Sequence, residues 1–504
     1  MEHFGKHTSY WIDSTKQKSH STLSSNIEID VAVIGGGIAG VSCAYMLSQQ
    51  GKKVAIIEAE QIGQGVTGFT TAHITSEHNL MYEYLINKFG INKAQLYANA
   101  NETTIKTIEN IIVKEKIPCD FKRVSQYLFC EMDQDIQKLK NEYAAAKQLS
   151  LHINWKDTLP LPFPIHGAIE YKEQAQFHPR KYILGLAEKI ISAGGLIFEK
   201  TRAIDVREGE LYVIETDKGM CKAKNVIVAT HFPFLDRGGF FARMKQDRSY
   251  VIGVHIDDDV DLDMYDNIAD PYYYIRTQPT DNGLLVLIGG EDHTTGKDKD
   301  ATQHYKNLEA YARQHFNIRS IEYYWSSQDT YPYDKVPFIG HFMPGTKHLY
   351  VATGFQGYGM TFGTVSGMLL TDMIMDKKND WEELFTPQRF KPTAEIPSSI
   401  AGGLSIGKEF IFGKLAGKDK DEVEKMEYNS GIVITYEGKK IAVYKDHQGK
   451  LFAVSAICTH MGCTLNFNNA EASWDCPCHG SRFNHDGRIL HGPAVKPLQK
   501  KHLS

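Results

Sequence analysis

Residues 30–58 read DVAVIGGGIAGVSCAYMLSQQGKKVAIIE, and no other stretch restricts the fold as tightly. Val31–Ile34 is a short, β-branched apolar run of the kind buried in a parallel sheet. Gly35, Gly37 and Gly40 follow as G-x-G-x-x-G, and an apolar helical pattern runs on through Leu47. Gly51 breaks that helix, Val54–Ile57 makes a second strand, and Glu58 closes it 18 residues after Gly40. Each part has a physical task. Gly35 permits the tight turn, Gly37 lets the backbone approach a pyrophosphate, and Gly40 lets helix and strand pack closely. The helix N-terminus, with Ile38 and Ala39 in its first turn, offers unpaired N–H groups and the positive end of its dipole to phosphate. Glu58, followed by Ala59, can accept hydrogen bonds from ribose hydroxyls. A lone glycine motif is weak evidence. Strand, motif, helix, strand and acid in order predict an α/β Rossmann-like domain that binds a dinucleotide.

The chain has 504 residues, enough for about three domains or subdomains. Its net charge of -5 gives no electrostatic footprint for nucleic acid, and no polybasic run suggests an anionic membrane surface. The apolar run Val31–Leu47 is 17 residues long and glycine-rich, short of the roughly 20 needed to span a bilayer. The first 30 residues are polar, and the first arginine is Arg123, so neither a secretory nor a twin-arginine signal is expected. A soluble, cytoplasmic protein without a transmembrane segment is predicted. Four of the eight cysteines, Cys43, Cys119, Cys130 and Cys221, are scattered and read as small buried hydrophobes.

After the glycine motif the chain continues GQGVTGFTTAHIT (63–75), which contains Thr70 and Thr71. Further on come FHPRKYILGLA (177–187), KNVIVAT (224–230), DKVPFIG (334–340) and LYVATGFQGYGMTFGTVSGMLLTDMI (349–374). Together these segments resemble the glycine oxidase, sarcosine oxidase and D-amino-acid oxidase superfamily of FAD enzymes, over roughly residues 28–385. The resemblance implies FAD as cofactor. It places Ala203, Ala229, Thr230, Gly340, Gly354, Gly357, Gly359 and Met360 with the N-terminal motif in the FAD site. It implies an FAD half (28–75, 178–235, 335–380) interleaved with an α+β substrate half (76–177, 240–330), after an N-terminal extension (1–27). Gly354, Gly357, Gly359 and Gly363 are spaced for a backbone that presses against a ring system. YYYI (272–275) and LLVLIGG (284–290) read as strands of the substrate sheet. Some relatives attach the flavin through a cysteine near the final loop or a histidine near the first. GFQGYGMTFG has no cysteine, and His73 is out of register, so dissociable FAD is expected.

Past residue 385 the character changes. TPQRFKPTAEIPSS is a proline-bearing linker, and Ile400, Leu404, Ile411 and Leu415 then recur at helical spacing. Residues 386–426 therefore read as a linker with a helix that packs one domain on the other. GIVITYEG, KKIAVYKD and KLFAVSAI follow as alternating strands of a C-terminal all-β domain (427–504). That domain carries CTHMGC (458–463) and DCPCHGSRF (475–483). Cys458, His460, Cys476 and His479 make a Cys2His2 set that zinc could use, and spacing alone would favour zinc.

The two segments nevertheless resemble the Rieske [2Fe–2S] domain nearly residue for residue. The resemblance implies that Cys458 and Cys476 hold one iron and His460 and His479 the other. It matches Cys463 and Cys478 to the disulfide between the cluster loops of respiratory-type Rieske proteins, a bond unexpected in a reducing cytosol. Ser481 matches the serine that bonds a bridging sulfide. Phe483 replaces a tyrosine that bonds a cysteine sulfur, which implies a potential below the respiratory maximum.

Fusing the two units implies oxidation of a small-molecule substrate at a C–N or C–O bond, with electrons leaving singly through the cluster to an unidentified acceptor. Alternatively, the Rieske module is structural or a redox sensor, or electrons run backwards into the flavin. No second unit of strand, glycine motif and helix follows, which disfavours direct NAD(P)H oxidation. Only Asn484–Ser504 lie beyond the cluster motifs, too few for the iron domain of a ring-hydroxylating oxygenase. For the substrate, WSSQDTYPYDKVPFIG (325–340) aligns with a glycine-oxidase-like segment whose arginine clamps a carboxylate. Here that position is Asp329, which favours an amine or ammonium group, unless Asp329 merely pairs with a neighbour such as Lys335. Arg276 is a second pocket candidate.

Overall fold

The computed structural model describes residues 5–258, 263–389 and 421–502. The helix expected around Ile400–Leu415 lies outside the described residues.

The N-terminal unit forms as its pattern requires. β1 (Ile27–Ile34), α1 (Ile38–Gln49) and β2 (Val54–Ile57) make a parallel βαβ crossover in which Val31 pairs with Val54 and Ile34 with Ile57. β3 (Met220–Val228) pairs on the other side of β1, with Val33 opposite Ile227. The eight-stranded sheet that results is completed by shorter strands between residues 196 and 216 and between residues 338 and 353. α1 is apolar on nearly all sides because it is covered on nearly all sides.

A nine-stranded mixed sheet forms the second layer. Four of its strands matter below: β4 (Met244–Ile256), β5 (Tyr273–Thr280), β6 (Gly283–Thr294) and β7 (Ile318–Pro332). β5 and β6 are the strands expected from YYYI and LLVLIGG, and they pair antiparallel as a hairpin. One detail differs from expectation. His73–Ile74, assigned above to the FAD half, pairs with Gln176 and Ala175 and belongs to this second sheet. Its two residues are too few for a sequence period to assign them.

β8 (Leu349–Thr353) returns parallel to β3 and leads into α2 (Gly359–Ile374), which packs on α1. A Cβ on Gly363 would meet Ile38 at 2.8 Å and one on Gly367 would meet Ser42 at 3.0 Å, so these positions need glycine for close helix approach. The N-terminal extension is part of the core. Trp11 is fully buried, and its indole donates to Thr70 O at 2.6 Å.

The C-terminal domain is all-β. β9 (Ser430–Tyr436), β10 (Lys439–Lys445) and β11 (Leu451–Ser455) form one antiparallel sheet. β12 (Asn466–Asn468), β13 (Ser473–Asp475), β14 (Arg482–Asn484) and β15 (Ile489–His491) form another. This domain packs against β4 and β7, and the strand period decides how. β4 and β7 are antiparallel with Lys245 opposite Tyr331, Asp247 opposite Asp329 and Ser249 opposite Ser327. The intervening pairs are Gln246 with Thr330, Arg248 with Gln328 and Tyr250 with Ser326. Successive side chains point to opposite faces, so the odd and even pairs face different surroundings.

Candidate functional site

A cavity of about 840 Å³ lies between the two sheets. One end is the glycine motif. Gly35 has φ +111, and a Cβ there would strike the carbonyl of Ala229 on the loop after β3. A Cβ on Gly40 would strike Gly35 O, which is why α1 can sit so close to β1. Thr67 Oγ1 accepts the Ile38 N–H at 2.9 Å. Glu58 accepts the Gly36 and Glu60 N–H groups at 2.7 Å each, and burial raises its pKa.

Gly35, Gly37, Ile38, Ala39, Glu58 and Ala59 line this end of the cavity. Thr70, Thr71, Ala203, Ala229 and Thr230 line its middle, and Gly357, Gly359 and Met360 line the closing loop. Three residues expected there do not line it. Gly40 is spent on helix packing, Gly340 faces Pro387, and Gly354 faces Pro332 and Met244. The helix N-terminus, a side-chain-free backbone at Gly35–Gly37 and the buried acid at Glu58 together fit a dinucleotide.

The odd face of β4 and β7 forms another wall. Lys245, Ser249, Ser327, Asp329 and Tyr331 line the cavity, joined by Asp292 from β6 and Tyr274 from β5. Burial, then the neighbouring charge of Asp247, pushes Asp329 up to about 7, against the opposing effects of Arg248 and the Gly357 N–H. Burial, then Asp329, pushes Asp292 up to about 7. Asp247 stands behind them. One of its oxygens takes the Lys245 ammonium at 2.5 Å, and the other has no partner among the described residues. Lys335 lies over the Tyr84 ring at 4.9 Å, while Asp329 receives the Gly357 backbone N–H.

Arg276 is placed differently from the sequence expectation. It does not line the cavity. Its guanidinium donates to Thr71 O at 2.8 Å, Ala72 O at 3.1 Å and Gln278 Oε1 at 2.7 Å, and lies over Trp11 at 5.3 Å. Apart from Gln278 on the same strand, these partners come from the loop before His73 and from the N-terminal extension, and nothing in the sequence connects those to Arg276. His73 does line the cavity, and burial, then Arg276, lowers its pKa to about 3. Asp266, bonded by Tyr272 at 2.7 Å, is pushed up to about 6 by burial.

The C-terminal motifs form two loops with one hydrogen-bond scheme. Cys458 N donates to Cys463 O at 2.8 Å and Gly462 N to Cys458 O at 3.0 Å. Likewise Cys476 N donates to Ser481 O at 2.8 Å and Gly480 N to Cys476 O at 3.0 Å. The matching turns present Cys458 and Cys476 to each other, and their thiols are hydrogen-bonded. That bond, against the effect of burial, lowers the Cys458 thiol to about 7, and Ser481 adds a further hydrogen bond to it.

The His460 and His479 rings stand edge to face at 5.0 Å. His460 Nδ1 and both ring nitrogens of His479 are buried without partners among the described residues. Burial, then His460, lowers His479 to about 4, keeping it in the neutral form that ligates. Two thiols and two imidazoles with vacant nitrogens are a donor set that fits a [2Fe–2S] cluster. Cys463 and Cys478 are joined as a disulfide, and the four scattered cysteines are free and buried.

The even face of β4 and β7 receives these loops. Gln246 donates to His479 O, and Gln328 donates to Gly480 O at 2.9 Å. Arg248 and Arg482 meet Glu471 at 3.2 and 3.0 Å, and Arg482 also meets Asp475 at 2.9 Å. Burial alone would raise Glu471, but the two arginines hold it well below the usual carboxylate range. A cluster-domain segment, Leu490–Val495, lines the cavity itself, and His491 stands edge-on to His231 at 5.1 Å. Sequence reasoning missed Asp292, His231 and this segment. The segment MKQDRSY carries no apolar–polar period that would say which domain covers the even face.

Comparison with known proteins follows the same division. The FAD dependent oxidoreductase family matches residues 30–373, and the Rieske [2Fe-2S] domain matches residues 419–502. YhfW of Bacillus subtilis (strain 168), described as a Rieske 2Fe-2S iron-sulfur protein, is 37% identical over 99% of both chains. Gamma-glutamylputrescine oxidoreductase of Escherichia coli (strain K12) is 23% identical, covering 80% of this chain and 96% of its own. Glycine oxidase from Geobacillus kaustophilus superposes with a TM-score of 0.59 at 19% identity, covering 72% of this chain and 99% of its own.

Proposed function

The chain belongs to the FAD dependent oxidoreductase family and ends in a Rieske [2Fe-2S] domain, and on that premise we propose that it oxidises a small amine or amino compound and passes the electrons singly to the cluster domain. When bound, FAD supplies two-electron hydride acceptance and the cluster supplies one-electron transfer. The observation that carries the reading is the division of β4 and β7. Their odd residues form an acidic cavity wall, and their even residues hold the cluster loops.

In this reading Asp329 anchors the substrate ammonium beside the closing loop, and Asp292 adds a second acceptor. A carboxylate wall attracts a cation and repels a simple carboxylate substrate. The amine named in the Escherichia coli relative agrees with this preference. Cys458 and Cys476 hold one iron, and His460 and His479 hold the other. Glu58 and the glycine motif hold the nucleotide without a covalent bond, so denaturant releases the flavin. The site is assigned to the cytoplasm.

The test is anaerobic mixing of the purified holoenzyme with panels of amines and amino acids, following flavin bleaching and the rhombic signal of the reduced cluster. Amines should bleach the flavin and then raise the signal. Rapid reduction by glycine or simple D-amino acids, with no effect of Asp329→Asn, would overturn the substrate assignment. A bleached flavin with a permanently oxidised cluster would favour the second reading, in which the cluster domain serves to complete the cavity wall through Leu490–Val495.

A further inference from the structure

We infer that Asp236 of the flavin domain is a positioning residue for the cluster: its carboxylate holds the His460 ring in ligating orientation and its charge lowers the cluster's reduction potential. The inference rests on the ligand set proposed above. Asp236 Oδ1 accepts from His460 Nε2 at 2.6 Å, across 224 residues of sequence. The other nitrogen, Nδ1, is the one buried without a partner, so the ring has one nitrogen committed to the carboxylate and one left to ligate. A carboxylate on the far nitrogen of a ligating histidine fixes its tautomer and orientation and makes it a stronger donor.

The chain around Asp236 supports a dedicated role. The segment that follows β3 runs from the cavity to both histidines. His231, Phe232 and Phe234 line the cavity, Asp236 meets His460, and Phe241 stands edge-on to His479 at 5.7 Å. Arg237, the adjacent cation, turns away and donates to Val206 O at 2.8 Å. Among the described residues the carboxylate's ion-pair partner is the His460 ring, whose side chain is only 4% exposed although that of Asp236 is 52% exposed. Reduction adds negative charge to the cluster, and a neighbouring carboxylate disfavours that addition, so the potential falls.

The experiment is a redox titration of the full-length holoenzyme without substrate, read by the rhombic signal. Asp236→Asn should raise the potential by about a tenfold shift in the one-electron equilibrium, or 59 mV. Asp236→Glu should return it toward wild type, and Asp236→Ala should speed amide hydrogen exchange across residues 458–463 while leaving flavin content unchanged. An intact signal with wild-type potential in both Asn and Ala variants would overturn this inference alone. A wild-type protein with no rhombic signal would overturn it together with the ligand set. A failed amine panel would leave it standing, because no substrate enters the titration.

Discussion

On β4 and β7, the odd face carries Lys245, Asp329 and Tyr331 toward the cavity, with Asp247 behind them, and the even face carries Gln246, Arg248, Ser326 and Gln328 toward the cluster domain. The two faces share a backbone and differ in how charge is balanced. On the even face, Glu471 sits between two arginines and is held low. On the odd face, burial holds Asp292 and Asp329 high, and their crowding with Asp247, to which Lys245 is committed, adds to it. A compensated face suits docking, because burying it leaves no charge unpaired. An undercompensated face suits a ligand that brings the missing positive charge.

The largest effect should come from breaking the compensated face. Glu471→Ala leaves Arg248 and Arg482 short of their shared partner. It should cost about 3–5 kcal/mol, read as an earlier denaturant midpoint. The contrasting change, Asp329→Asn, should not destabilise the fold. It should cut amine kcat/KM about 10- to 150-fold, since a hydrogen bond to a charged group is worth about 1.5–3 kcal/mol.

The faces should also respond oppositely to pH. Glu471 is depressed in the folded state. Its contribution to stability is present above the ordinary value of about 4.3 and is lost as pH falls through the folded value. Asp329 is raised to about 7. Its contribution is complete below about 3.9 and is lost as pH rises through 7, so Asp329→Asn should flatten the alkaline limb of a stability profile. Amine binding needs the ionised form, so kcat/KM should rise through about pH 7 in the wild type and lose that rise in Asp329→Asn. The smallest effect should be at Gln328. Its neutral bond to Gly480 O makes Gln328→Ala cost about 0.5–1.5 kcal/mol in the same denaturation assay.

Features of short range were legible in the amino-acid order alone. The βαβ unit is written in consecutive residues, because apolar period, glycine spacing and a terminal acid act within about thirty positions. The two cluster loops are equally local: each turn closes over five or six residues, so CTHMGC and CPCHGS carry their own geometry. Asp329 is singled out by the resemblance of WSSQDTYPYDKVPFIG to a glycine-oxidase-like segment, and it lines the cavity. Arg276 failed as a pocket residue because its partners, Thr71, Ala72 and Trp11, are brought to it by other segments. His231 and Asp236 carry no motif, and their meaning depends on His491 and His460, more than 200 positions away. Order along the chain determined which cofactors this protein can hold, since those sites are built from neighbouring residues. Tertiary structure alone decided that the acidic cavity and the cluster lie on opposite faces of the same strands. Contacts between distant segments depend on the docking of whole surfaces, and no local period encodes that.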